Sequence, residues 1–195
     1  MRRLPIITAA LLFPTAAYAH PDLSHLGGML AGFGHPLGGM DHVLAMLAVG
    51  VLAAALGNRA LFVVPMSFVG VMIAGFLLGV AGIDLPLVEL SIALSSVVIG
   101  SAAALGRPMS TAGAAALVGI FGLFHGYAHG AEMPADADGA LYAGGFVAAT
   151  ALLHLVGIGA AVGSSKLAGR YRGLAARIAG GGFALGGVGL LIGWI

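Results

Sequence analysis

Six apolar stretches of membrane-spanning length follow one another along this chain, separated by short breaks of turn-forming and charged residues. About 20 such residues, wound as a helix, cross the roughly 30 Å hydrocarbon core of a bilayer. No stretch alternates like a β-barrel strand, so helices are the only way to satisfy the backbone in lipid. The sequence therefore predicts an all-α, polytopic helical bundle with transmembrane spans at 38–56, 60–81, 86–105, 111–131, 139–163 and 173–194.

The composition rules out a soluble domain of average make-up. Only 8% of the 195 residues are charged, whereas soluble domains carry about 25% charged residues. Cysteine is absent, which excludes disulfides and thiolate metal sites. The chain has no Gly-Lys pair, so it carries no Walker A ATP site, and it shows no pattern typical of nucleic-acid binding.

Many glycines stand four residues apart, a spacing that lets transmembrane helices approach closely. We expect these glycines to lie where helices pack against each other. They are Gly75 with Gly79, the run of Gly122, Gly126 and Gly130, Gly159 with Gly163, and Gly189 with Gly193.

The N-terminus has the three parts of a secretory signal peptide. Two arginines precede an apolar stretch, and residues 17–19 (Ala-Tyr-Ala) form an A-x-A cleavage site. We therefore predict a signal peptide over 1–19 and a single six-helix transmembrane domain over 20–195. An uncleaved anchor helix is the alternative, and both interpretations place His20 on the outer side of the membrane.

The loop charges sort by sign onto opposite sides of the predicted membrane. Because positive charge marks the cytoplasmic side, the basic loops are predicted inside and both mature termini outside. The basic residues are Arg59, Arg107, Lys166, Arg170 and Arg172, and the acidic residues are Asp22, Asp84, Glu89, Glu132, Asp136 and Asp138.

The first span begins with a polar group formed by His35, Asp41 and His42. A charge at the bilayer centre costs about 2.5–3.5 kcal/mol, so such residues are functional candidates. Pro36 disfavours helix at the preceding residue, so we expect an irregular backbone that folds His35 back toward the other two. Carboxylate and imidazole together suit divalent Ni, Co, Zn or Mn. The alternative is a helix-capping aspartate with histidines at the headgroup level.

A second polar group lies at the outer end of the fourth span. His125 and His129 are four residues apart and share a helix face, and Glu132 continues that face outward. The alternative is a pair of histidines that hydrogen-bond neighbouring helices, beside a surface glutamate. Because the first span starts outside and the fourth ends outside, we expect both polar groups to meet in the outer half of the membrane.

Two further histidines are candidate metal ligands. His154 lies in the fifth span and is expected deeper, toward the cytoplasm, although a bond to a backbone carbonyl is the alternative. His20 is expected at the outer mouth, where it can collect metal. The full set of candidate ligands is His35, Asp41, His42, His125, His129, Glu132, His20 and His154.

The two motifs together make the chain resemble the HupE/UreJ family of nickel permeases. The family signature HX5DH matches His35, Asp41 and His42, and FHGX[AV]HGXE matches residues 124–132 without departure. The resemblance covers essentially the whole chain. It implies a permease, not an enzyme, that takes up Ni²⁺ and also Co²⁺ across the bacterial inner membrane for a nickel enzyme such as hydrogenase or urease. It also implies that the motif histidines, Asp41 and Glu132 are required for transport, with no permanently bound cofactor.

Two other classes of protein use histidines inside a membrane. An intramembrane zinc hydrolase needs three protein ligands and an activated water, and Asp41, His42, His125 and His129 can supply such ligands. A haem protein needs axial histidines, and the carboxylate of Asp41 beside His42 speaks against it. Vesicles that move metal separate a permease from a hydrolase, and a haem absorption band identifies a haem protein.

Overall fold

A computed structural model describes residues 27–167 and 172–194, and every regular element within these ranges is an α-helix. Five helices are long and apolar enough to cross a membrane, and α1 with α2 forms a bent sixth candidate. The predicted all-α, polytopic bundle is therefore confirmed. The helices are α1 (Gly28–Gly38), α2 (Met40–Leu56), α3 (Ala60–Val80), α4 (Val88–Leu105), α5 (Thr111–Ala131), α6 (Gly139–Leu167) and α7 (Arg172–Leu191).

The six predicted spans correspond to helices α2 to α7. The bounds of α5 match the prediction, and the largest difference is at α6, which continues to Leu167 instead of ending at 163. The predicted signal peptide over 1–19, its cleavage and His20 lie outside the described residues.

Helices α1 and α2 together form a broken helix, in which the two parts meet at an angle of 83°. The break lies at Gly39, whose φ of −101° and ψ of 120° are extended. The prediction that Pro36 keeps His35 out of a helix is wrong, because both residues lie inside α1. Proline lacks an N–H donor and its ring crowds the carbonyl four residues earlier, here that of Gly32, so both effects fall within α1 and not at the break.

Glycines allow α3 and α5 to pack with their backbones in contact. A Cβ atom on Gly126 would overlap the carbonyl oxygen of Met72, and one on Gly75 would overlap that of Leu123. The same close approach recurs at Gly79, Gly122 and Gly130. The glycine spacing therefore predicted this interface correctly.

Other glycines with the same spacing do not lie at a contact. A Cβ atom on Gly159 or Gly163 would meet no atom within 4 Å in the described structure, because this face of α6 is turned away from the bundle. Gly193 likewise has open space around it and has a φ of 69°, in a turn after α7. For these positions the expectation of close packing is wrong.

Helix α6 contacts both halves of the broken helix. Gly32 of α1 packs against the carbonyl of Tyr142, and Gly50 of α2 packs against the carbonyl of His154. Both carbonyls belong to α6. On another side of the bundle, α4 and α7 approach through Gly100 and Gly180.

Gly126→Ala is expected to lower the amount of folded protein in the membrane. The added methyl group meets a backbone carbonyl that cannot rotate away, and overpacking of this kind typically costs about 1–3 kcal/mol. Gly163→Ala is the matched control, since it adds the same methyl group to open space. Membrane abundance and the melting temperature in detergent measure the difference, and equal values for the two variants would contradict the close α3–α5 contact.

Candidate metal site

Four imidazole rings from three helices form a continuous row, which we call the histidine row. His35 comes from α1, His42 from α2, and His125 and His129 from α5. The ring centroids are 4.8 Å apart for His35 and His129, 5.0 Å for His129 and His42, and 4.7 Å for His42 and His125. The two polar groups predicted to meet do meet, and neighbouring rings alternate between α5 and the broken helix.

The histidine row runs from a partly exposed end into the interior. His125 and His129 are fully buried, and His42 is 7% exposed. At the other end, His35 Nε2 lies 3.1 Å from Glu132 Oε2, and the side chain of Glu132 is 40% exposed. A cation can therefore meet a carboxylate first and buried imidazoles afterwards.

Asp41 fixes the orientation of the His42 ring. Its Oδ1 accepts the backbone N–H of His42 at 2.8 Å and lies 2.9 Å from His42 Nδ1. An ionised carboxylate only accepts, so Nδ1 carries the proton in this contact. The remaining nitrogen, Nε2, is buried without a hydrogen-bond partner among the described residues. The lone pair of neutral His42 therefore lies on Nε2.

Sequence reasoning missed Ser95, a buried residue of α4 that contacts the row. Its Oγ lies 3.0 Å from Nε2 of His125. The signal available in the sequence was a hydroxyl in the middle of an apolar span, and hydroxyls in such spans commonly bond to neighbouring helices.

Aromatic side chains enclose the row. Phe146 stacks on His129 with centroids 4.7 Å apart and an interplanar angle of 10°. Phe68 packs against His125 at 5.4 Å, and Tyr142 meets the ring of His35 edge-on at 6.1 Å. No sequence pattern distinguished these residues from other apolar residues of the spans. All three are themselves buried, so they belong to the interior that surrounds the imidazoles.

His154 stands apart from the row. It is 2% exposed, and its ring lies 5.2 Å from that of Phe68, which also packs against His125. Neither ring nitrogen has a hydrogen-bond partner within the described ranges, so the alternative of a bond to a backbone carbonyl is not observed. A single aromatic ring thus contacts both His154 and the inner end of the row.

The spacing of the row suits two imidazoles on one divalent ion. With metal–nitrogen distances of about 2.0–2.1 Å and angles near 90–110°, two ring centroids lie about 4.5–5.2 Å apart. The three spacings along the row fall in this range. As the side chains stand, no three His, Asp or Glu residues of the described chain form a group ready to hold one metal ion. The candidate ligands are therefore close to each other in consecutive pairs along the row, and not as one group of three.

Comparisons with known proteins agree with the motifs. A family model described as HupE / UreJ protein matches residues 8–190. Protein HupE of Rhizobium leguminosarum bv. viciae is 47% identical over 185 residues, which cover 95% of each chain. No solved structure matches the chain. With a match of this length and identity, the chain belongs to the HupE/UreJ family.

Proposed function

We propose that this protein is a nickel permease of the bacterial inner membrane, with Co²⁺ as a second substrate. It takes the ion inward through the histidine row and supplies a nickel enzyme such as hydrogenase or urease. Membership of the HupE/UreJ family supports the proposal. The observation that carries it is the row itself, four imidazoles at centroid spacings of 4.7–5.0 Å with a carboxylate at its exposed end.

The proposed direction of transport follows from the distribution of charge. With the basic loops in the cytoplasm, the start of α2 and the end of α5 lie in the outer half of the membrane, and the mature termini are periplasmic. Acidic side chains near the outer end raise the local concentration of divalent cations. His20 is a further proposed ligand, which collects metal ahead of the row.

The ion loses its water in steps as it moves along the row. Glu132 and His35 replace the first waters, followed by His129, and then by His42 with Asp41 beside it. Because neighbouring rings are close enough to share an ion, the next imidazole binds before the previous one is lost. Conduction requires sites strong enough to admit an ion and weak enough to release it. Imidazole and carboxylate meet that requirement for Ni²⁺ without the tight hold of a thiolate cage.

The inner end of the row is His125, and His154 is the proposed next ligand. Phe68 packs against both rings. The two ring nitrogens of His154 have no hydrogen-bond partner in the described structure, and a buried imidazole of this kind is a candidate to receive a cation. From there the ion continues toward the cytoplasmic end of the bundle.

Uptake of radioactive nickel by cells with and without the protein tests the proposal. We expect time-dependent uptake only in cells that contain the protein. Unlabelled Ni²⁺ should suppress it most strongly, Co²⁺ should compete, and Mg²⁺ should have little effect because it keeps its waters and prefers oxygen ligands. Equal nickel accumulation in both kinds of cell would contradict transport.

Vesicles reconstituted with purified protein separate the permease from the alternative zinc hydrolase. A permease fills the vesicles with nickel and leaves lipid and peptide intact. A hydrolase cleaves one of them and moves no metal. Cleavage without nickel accumulation would therefore replace the proposed function.

A further inference from the structure

We propose that Ser95 is a positioning residue that fixes the tautomer of His125, so that Nδ1 is the nitrogen with which this ring binds the transported ion. The proposal rests on the proposed function of the histidine row and deepens it. It assigns a role in transport to a serine of α4, a helix that contributes no member of the row.

The hydroxyl of Ser95 donates its proton to a backbone carbonyl, so toward His125 it can only accept a hydrogen bond. Ser95 is completely buried, and its Oγ donates to the carbonyl oxygen of Ile92. A serine hydroxyl has a single proton. Because that proton goes to Ile92, Oγ accepts from His125 Nε2, 3.0 Å away. Nε2 of His125 therefore carries the hydrogen.

A neutral imidazole with its proton on Nε2 has its lone pair on Nδ1. His125 Nδ1 is buried and has no hydrogen-bond partner among the described residues, and the ring lies 4.7 Å from that of His42. Metal-binding histidines typically donate their second N–H to an oxygen acceptor, which fixes the ring and raises the basicity of the ligating nitrogen. Ser95 Oγ is such an acceptor.

The neighbouring ring is fixed in the opposite tautomer. Asp41 holds the proton of His42 on Nδ1 and leaves the lone pair on Nε2. In His42 and in His125, one ring nitrogen is hydrogen-bonded to a side-chain oxygen, and the other has no hydrogen-bond partner in the described structure. The two ring centroids lie 4.7 Å apart, so a cation bound by both rings would use Nδ1 of His125 and Nε2 of His42.

Ser95→Ala tests the proposal, with Ser96→Ala as the matched control. Ser96 is the next residue of the same helix, is also completely buried, and donates to a backbone carbonyl, that of Ala93, at 3.1 Å. It lies against Gly187 of α7 instead of an imidazole. Both changes remove one hydroxyl and one bond to the helix backbone. Only the change at Ser95 releases His125.

We expect Ser95→Ala to raise the KM for nickel uptake by about 10- to 100-fold, the usual effect of losing a partner of a metal-binding histidine. The maximal rate should change less, Ser95→Thr should restore most of the affinity, and Ser96→Ala should keep the parental KM. A parental KM in Ser95→Ala, at equal membrane abundance, would overturn the proposal.

A spectroscopic measurement reports the tautomer directly. In protein with isotope-labelled histidine, the ring carbon shifts of His125, assigned by their loss in His125→Ala, should show the Nε2–H form. In Ser95→Ala they should move toward a mixture of both forms. An unchanged tautomer in Ser95→Ala would contradict the proposal, whereas an unchanged tautomer in Ser96→Ala is expected.

If Ser95→Ala does not accumulate in the membrane, Ser95→Thr and Ser95→Val have nearly the same shape and differ by the hydroxyl, so the valine variant should show the raised KM and the altered tautomer. Absence of nickel uptake by the parent would end the proposed function, while the tautomer measurement still tests the role of Ser95.

Discussion

Replacement of His42 by alanine is expected to reduce nickel uptake to the level of cells that lack the protein. The ring of His42 lies next to both His125 and His129, at 4.7 and 5.0 Å, so its loss interrupts the row at its middle. Losing a residue that only supports a metal ligand costs about 10- to 100-fold in affinity or activity. The loss of a ligand itself should therefore exceed about 100-fold. His129→Ala should have the same effect, since His129 links His35 to His42.

His25→Ala is the matched control for these two variants. It makes the same change at a histidine that lies outside the described residues and is not among the proposed ligands. Uptake should stay at the parental level, with all variants compared at equal membrane abundance. Parental uptake by His42→Ala would remove the physical basis of transport through the row.

Asp41→Asn is expected to reduce uptake about 10- to 100-fold, although the side chain keeps its size. One oxygen of Asp41 accepts both the backbone N–H and the Nδ1–H of His42, so it sets the tautomer of that ring. Asparagine removes the negative charge that offsets the charge of the ion. Its amide can also present an N–H₂ donor to the imidazole, which favours the wrong tautomer.

Asp138→Asn provides the comparison for Asp41→Asn. Asp138 accepts the backbone N–H of Leu141 at the start of α6, at 2.9 Å, and asparagine serves at helix N-termini about as well as aspartate. The change in charge is therefore the same, without an imidazole partner. Nickel uptake and nickel affinity of the purified proteins measure the effect. Equal losses in the two variants would show that general charge, and not the Asp41–His42 contact, controls uptake.

The spans and the row were predictable because their signals are local. A run of apolar residues has to cross the bilayer as a helix. Because successive helices cross in opposite directions, the order of the spans determines on which side of the membrane each helix end lies. His125 and His129 share a face of α5 because they are four residues apart, and the loop charges predict that this end lies on the same side of the membrane as the start of α2. These facts predicted that the two motifs lie at the same level of the bundle, and the structure shows that their rings are also in contact.

The helix α1 was not predictable from its own residues. Pro36 and the following glycines indicated an irregular backbone, and the break does occur at Gly39. The residues before it are helical because α1 packs against α6, with Gly32 close to Tyr142. That tertiary contact outweighs the local preference of the residue before proline.

The contacts of individual helix faces were also hidden from the sequence. In a membrane the lipid-facing and the buried faces of a helix are both apolar, so the pattern does not tell them apart. Gly126 and Gly163 have the same spacing to a neighbouring glycine, yet one touches a backbone and the other faces open space. Ser95 was missed for the same reason, because its contact with His125 depends on which helix its side chain faces.

The glycine contacts place the imidazoles on two closely packed groups of helices. His35 and His42 lie on α1 and α2, which both pack closely against α6. His125 and His129 lie on α5, which packs closely against α3. The backbones of α2 and α5 make few contacts of their own. Each of the three short ring-to-ring distances therefore joins a ring of α1 or α2 to a ring of α5, across the seam between the two groups. A small widening of that seam lengthens all three at once, so the affinity of the whole row can be changed by one relative movement, with no change of side-chain conformation.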